Sequence, residues 1–153
     1  MKKTTSHNGF TLIELIIVMV ILGIMAAVAV PRYLDSISNA EESAENAVIS
    51  SIRAGLKAAA NDSLYTNGRA SWPTNPFDAL AEKPAGYDTS RTAIANTDGQ
   101  WTFYNDGNVT KISHQRADNS RHTWTYNKGI QNGDDATVGS LGPRVPYVGE
   151  VTE

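Results

Sequence analysis

The chain has no cysteine. No disulfide can therefore staple its loops, although a secreted domain of this size often uses one. The C-terminal loop must be held by packing, hydrogen bonds, a metal ion or neighbouring subunits. Histidine is scarce too. His7, His114 and His122 lie far apart, and His7 falls in the N-terminal leader. No His-x-x-x-His pair, nucleophile elbow or glycine-rich phosphate loop is present. An enzyme is left without its usual parts. A basic excess is also missing. The 13 Lys and Arg stand against 16 Asp and Glu, net -3. Nucleic-acid binders usually show a basic face, so the composition argues against that partner. A local cluster of Lys111, Arg116 and Arg121 is the exception. At 153 residues there is one domain's worth of chain.

What the chain does have is one long apolar run near its start. Between Phe10 and Val30 the only ionisable residue is Glu14 and the only hydroxyl is Thr11. The run is long enough to cross a bilayer core as a helix. Lys2 and Lys3 before it orient the segment with its N-terminus in the cytoplasm. Glu14 is the anomaly. A carboxylate in hydrocarbon costs roughly 2.5 to 3.5 kcal/mol on insertion scales, so its retention points to function.

Gly9-Phe10-Thr11-Leu12-Ile13-Glu14 resembles the processing motif of type IV pilins and of the pseudopilins of type II secretion. The resemblance implies that a prepilin peptidase cuts after Gly9. It implies N-methylation of the new terminus at Phe10. It also implies that Glu14 guides assembly, by pairing with the Phe10 amine of a neighbouring subunit and so setting the axial register. The physics permits this. The freed amine is cationic near neutral pH, and Glu14 lies one helical turn away. Both charges need partners once they leave lipid for a filament core. Removing residues 1–9 takes away Lys2 and Lys3 and no acid, leaving 11 basic against 16 acidic residues. Many pilins close a C-terminal loop with a disulfide, and this chain departs from that pattern.

Other readings of the leader exist. Ala27-Val28-Ala29 is a small-residue site of the kind a signal peptidase uses. Glu14 and the helical pattern continuing through that site weigh against it. A permanent anchor with an uncut leader is a further possibility, as is a signal-anchored or secreted small binding protein.

The helical pattern runs from about residue 10 to about residue 65. Tyr33, Leu34, Ile37, Ala40, Ala44, Ala47, Val48, Ile52 and Leu56 recur at three- and four-residue steps and predict one apolar stripe. Asp35, Ser38, Asn39, Glu41, Glu42, Glu45, Asn46 and Arg53 are placed on the other faces. Pro31 predicts a kink near Ala27, and Gly23 a weak point. Both match pilin-family positions between which helix can be lost in the filament. Asn67-Gly68 is a stop signal.

Beyond it, Pro73 and Pro76 exclude a continuous helix, with one short turn expected after a cap at Asn75. Pro84-Ala85-Gly86-Tyr87 reads as a turn. Trp72, Phe77 and Tyr87 are expected to pack on the helix stripe. Strands are expected over residues 100–105, 109–114 and 121–127, with Asp106-Gly107 as a hairpin signal. One face of this antiparallel meander should be covered by the helix and one wet. The tail from Gly129 has no periodicity. Asn132-Gly133-Asp134-Asp135 offers hard oxygens of the kind calcium takes, and major pseudopilins carry calcium in this loop. The carboxylate spacing is irregular, so no metal and no cofactor is expected. Asn61-Asp62-Ser63 and Asn108-Val109-Thr110 match the glycosylation triplet, a pattern common by chance.

The expected architecture is therefore α+β and pilin-like, a long N-terminal helix packed on a small antiparallel sheet. Residues 1–9 form a leader, 10–31 a membrane and filament-core helix, 32–67 its amphipathic half, and 68–153 a globular head. The expected role is a filament subunit, with a type II secretion pseudopilin as the alternative. Expected partners are copies of itself, prepilin peptidase, inner-membrane assembly machinery and, before assembly, lipid. The expected location is the bacterial inner membrane, then a surface pilus or a periplasmic pseudopilus.

Overall fold

A computed structural model describes residues 9–107, 109–129 and 139–149. One helix, α1 (Leu12–Asn67), is followed by a 3-10 turn (Pro76–Ala79) and four strands, β1 (Trp101–Asp106), β2 (Val109–Gln115), β3 (Arg121–Asn127) and β4 (Ser140–Pro146). The chain divides into two compact units, Met1–Glu42 and Ser43–Glu153.

In the first unit the helix is hydrophobic on every side from Leu15 to Val30. Every Leu, Ile, Val and Met from Leu12 to Leu34 is exposed. The helix is long and apolar enough to cross a membrane, and none of its apolar window is buried. Gly23 and Pro31 both lie inside it, and the helical assignment is uninterrupted through them.

In the second unit α1 buries Glu45, Ile49, Ile52, Leu56 and Ala60. Ile52 and Leu56 were expected there. Ala44 and Ala47, also assigned to the stripe, are exposed, while Glu45, assigned to a solvent face, is completely buried. The buried face is thus turned toward Glu45 and Ile49. An apolar count along the helix cannot find this, because what admits Glu45 is charge on the sheet. The helix stops where glycine takes over. Gly68 adopts φ 70° and its N–H bonds to the Leu64 carbonyl at 2.9 Å.

The sheet is an antiparallel meander in the order β1-β2-β3-β4. Its register sets Phe103 opposite Ile112, Ile112 opposite Trp124, and Trp124 opposite Arg144. In the next row Trp101 faces His114, and His114 faces His122. Side chains alternate with period two, so both rows share one face. Trp101, Ile112, Trp124 and Tyr126 of that face form one core with Ile49, Ile52, Leu56 and Phe77. The Trp101 and Trp124 rings stack with centroids 5.6 Å apart.

The 3-10 turn is capped as expected, with the Asn75 side chain accepting from the Phe77 N–H at 3.0 Å. Phe77 is fully buried and stacks on Tyr87. At the next turn Gly86 takes φ 79°, and the Tyr87 N–H bonds back to Pro84.

Two expectations need correction. The second face of the sheet is wet only in part, with Thr125 and Val145 exposed. Thr102 and Ser113 are fully buried there, and the Ser113 hydroxyl accepts the Ala95 N–H at 2.8 Å. Arg121 donates to the Ala95 carbonyl. Small hydroxyls that read as solvent-facing instead anchor a crossing segment through Ile94 and Ala95, both buried. The tail, in turn, contains β4. Gly142, Pro143 and Pro146 argue against a strand in sequence. They are tolerated because β4 is an edge strand, and its pairing with β3 is irregular between Trp124 and Tyr126. Arg53 of α1 donates to the Leu141 and Gly142 carbonyls, supplying bonds from outside the ladder.

Gly55 marks a close approach. A Cβ there would collide with the backbone carbonyl of Ala79. Gly→Ala inside a helix ordinarily stabilises by about 1 kcal/mol. Here the sign should reverse. Gly55→Ala is expected to destabilise the second unit by about 1 kcal/mol, since overpacking costs roughly 1 to 3 kcal/mol. Urea titration followed by tryptophan fluorescence checks it, and an increase in stability would remove the steric reading.

Candidate functional site

The first unit carries the motif residues. Gly9 lies ahead of α1, in open space, and Phe10 is 85% exposed. Thr11 and Glu14 then close on one another. The Glu14 carboxylate accepts the Thr11 backbone N–H at 2.9 Å and the Thr11 hydroxyl at 2.6 Å. The Thr11 hydroxyl oxygen accepts the Glu14 N–H at 3.3 Å. This is a capping box, in which Thr-x-x-Glu satisfies two orphan N–H groups at a helix start. The sequence reading missed it, although the spacing was visible. Glu14 in this subunit is therefore bonded within its own chain.

The second unit holds a cluster that sequence reasoning also missed. Its centre is Glu45, on α1. Oε1 accepts from His114 Nδ1 at 2.9 Å and from Arg116 Nε at 2.8 Å. Oε2 accepts from an Arg116 terminal nitrogen at 2.6 Å and from Arg144 at 3.2 Å. An ionised carboxylate only accepts, so His114 must carry its proton on Nδ1. His122 Nδ1 stands 3.6 Å from Oε1, beyond hydrogen-bond range, and is buried without a partner.

Burial pushes the Glu45 carboxyl up. The hydrogen bonds from Arg116 and His114 and the nearby positive charge overcome this and bring it down to about 2. His122 is held below the usual histidine value by burial. Glu45 opposes that shift, and Arg116 and Arg144 add to it. The cluster joins α1 to β2, the turn after it, β3 and β4. Glu45 itself is completely buried, and its bonds tie these elements together. The one sequence signal was spacing: Glu45 falls in phase with Ile49, Ile52 and Leu56.

Among the described residues, no group of three or more His, Cys, Asp or Glu is placed to hold a metal ion. Asn132-Gly133-Asp134-Asp135, considered for calcium, lies outside the described residues.

Comparison with known proteins agrees with the arrangement. Residues 4–30 match the prokaryotic N-terminal methylation motif. The chain is 31% identical over 144 residues to the type IV major pilin protein PilE1 of Neisseria gonorrhoeae, covering 88% of this chain and 84% of the relative. It is 34% identical over 95 residues to the type IV narrow pilus major component PilA5 of Thermus thermophilus, covering 62% of this chain and 75% of the relative. A fimbrial protein of Dichelobacter nodosus is 38% identical over 105 residues, 61% of this chain and 62% of that protein. No solved structure matches at a significant level. An apolar N-terminal helix, an antiparallel sheet and relatives aligned along most of the chain lead to one conclusion: the chain belongs to the type IV pilin and pseudopilin family, as a pilin-like structural subunit and not a catalyst.

Proposed function

We propose that this chain is made as a single-pass membrane precursor with a cytoplasmic N-terminus. Prepilin peptidase cuts it after Gly9, and Phe10 is N-methylated. Inner-membrane assembly machinery then polymerises it with copies of itself. The observation that carries the reading is the Gly9–Glu14 motif at the head of a helix whose apolar residues from Leu12 to Leu34 are all exposed. A surface that apolar is unstable in water. It needs lipid before assembly and other helices after it. Gly23 and Pro31 are the places where the helix yields in the filament, since glycine and proline are its weakest formers.

Relatives named as major pilins and fimbrial proteins favour a surface fibre over a periplasmic pseudopilus. Intact mass and N-terminal sequencing of protein from native membranes test the maturation. The expected chain begins at methylated Phe10. One starting at Val30, or one retaining Lys2 and Lys3, would overturn it.

A further inference from the structure

The second unit has a cleft of about 590 Å³ between the last turns of α1 and the start of β4. That is the size of a small-molecule site. Helix residues three and four apart share a face. Arg53, Leu56, Lys57 and Ala60 follow that spacing and form one side of the cleft. Trp72, from the segment after α1, and Leu141, from β4, form the other.

The floor is apolar and fixed in place. Leu56 and Ala60 are buried. Trp72 and Leu141 pack against the core. A Cβ on Gly139 would collide with the Trp72 indole, so ring and backbone already touch there. Arg53 ties the far wall to the helix through the Leu141 and Gly142 carbonyls. The shape therefore exists before any ligand arrives.

The rim is cationic. Lys57 is exposed, and its ammonium makes no bond to a described residue. Arg53 uses one terminal nitrogen on the two carbonyls, and its remaining N–H groups make no bond to a described residue. No described carboxylate lines the cleft. Beyond residue 9 the chain has 11 basic against 16 acidic residues. Two cations with no acid between them run against that composition.

We propose that this cleft binds a small apolar carboxylate, one per subunit. The ligand's apolar body covers Leu56, Ala60 and Trp72, removing their surface from water. Its carboxylate takes charge-assisted hydrogen bonds from Lys57 and from the remaining N–H groups of Arg53. The apolar floor supplies affinity, and the rim selects the anion among apolar molecules. The site lies wholly in the second unit, so its test stands apart from maturation and assembly.

The probe is cinnamate, a flat apolar body with one carboxylate. Equilibrium dialysis is run against the full chain in lipid nanodiscs, with empty nanodiscs as the blank. Binding should saturate at one cinnamate per chain. Cinnamyl alcohol, the same body without the charge, should bind about tenfold more weakly, the scale of one charge-assisted hydrogen bond. Lys57→Glu sets a negative charge at the rim. It should weaken cinnamate by at least as much and leave cinnamyl alcohol unchanged. Lys111→Gln removes a cation outside the cleft and should change neither. Tryptophan emission checks that Lys57→Glu is folded; should it not be, Lys57→Gln takes its place. Binding that does not saturate, an alcohol that binds as well as the acid, cinnamate binding that survives the Lys57 change, or an equal loss in Lys111→Gln overturns the proposal.

Discussion

A Glu14→Ala chain is expected to be cut and methylated like its parent and then to fail at assembly. In the parent subunit the Glu14 carboxylate is bonded to Thr11 of the same chain. On our reading it exchanges that cap in the filament for the Phe10 amine of a neighbour. Removing one partner of a buried ion pair costs about 3 to 5 kcal/mol. At 1.4 kcal/mol per factor of ten, that is about two to three and a half powers of ten in association. The measurement is the ratio of sheared surface fibre to membrane-bound subunit, with the N-terminal mass of each pool. Glu14→Gln separates two causes. Glutamine can complete a capping box but carries no charge. If the ion pair governs assembly, Glu14→Gln fails as well. If it assembles normally, the cap is what matters. Fibre at the parent level from Glu14→Ala would remove Glu14 from the mechanism.

The second large effect lies in the other unit. Glu45→Ala leaves Arg116 buried without its carboxylate, in a core that also contains Trp101 and Trp124. The second unit is expected to lose about 3 to 5 kcal/mol, the range for breaking one side of a buried pair. Most of it belongs to Arg116. Arg144, being partly exposed, contributes less. Denaturant unfolding followed by tryptophan emission reads the change, and a loss under about 1 kcal/mol would class the cluster with surface pairs. The pH dependence has a definite sign. The folded value of Glu45 is depressed from 4.5 to about 2. Its contribution is therefore complete above 4.5 and is lost as pH falls toward 2. The His122 contribution is lost earlier. Its folded value lies below the usual 6.5, so stability declines as pH drops beneath 6.5 toward that value.

Much of this protein was legible along the chain because the deciding physics is local. Glu14 stands out by being the sole charge in an apolar run. Three strands and the helix stop were readable because turn glycines and side-chain alternation act over a few residues. The Thr11–Glu14 box was equally local and was simply overlooked.

The corrections share another cause. Glu45 reads as a solvent residue until partners 69, 71 and 99 positions away are brought to it. β4 reads as loop until β3 and Arg53 supply its hydrogen bonds. Thr102 and Ser113 read as wet until Ala95 crosses them. By itself, then, the sequence determined the membrane-grade helix, the processing motif and the strand order as far as β3. Only the tertiary structure decided which helix face is buried, where the edge of the sheet lies and which charges meet. Burying a charge or completing an edge strand depends on groups remote in sequence, and their compensation exists only once the chain has folded.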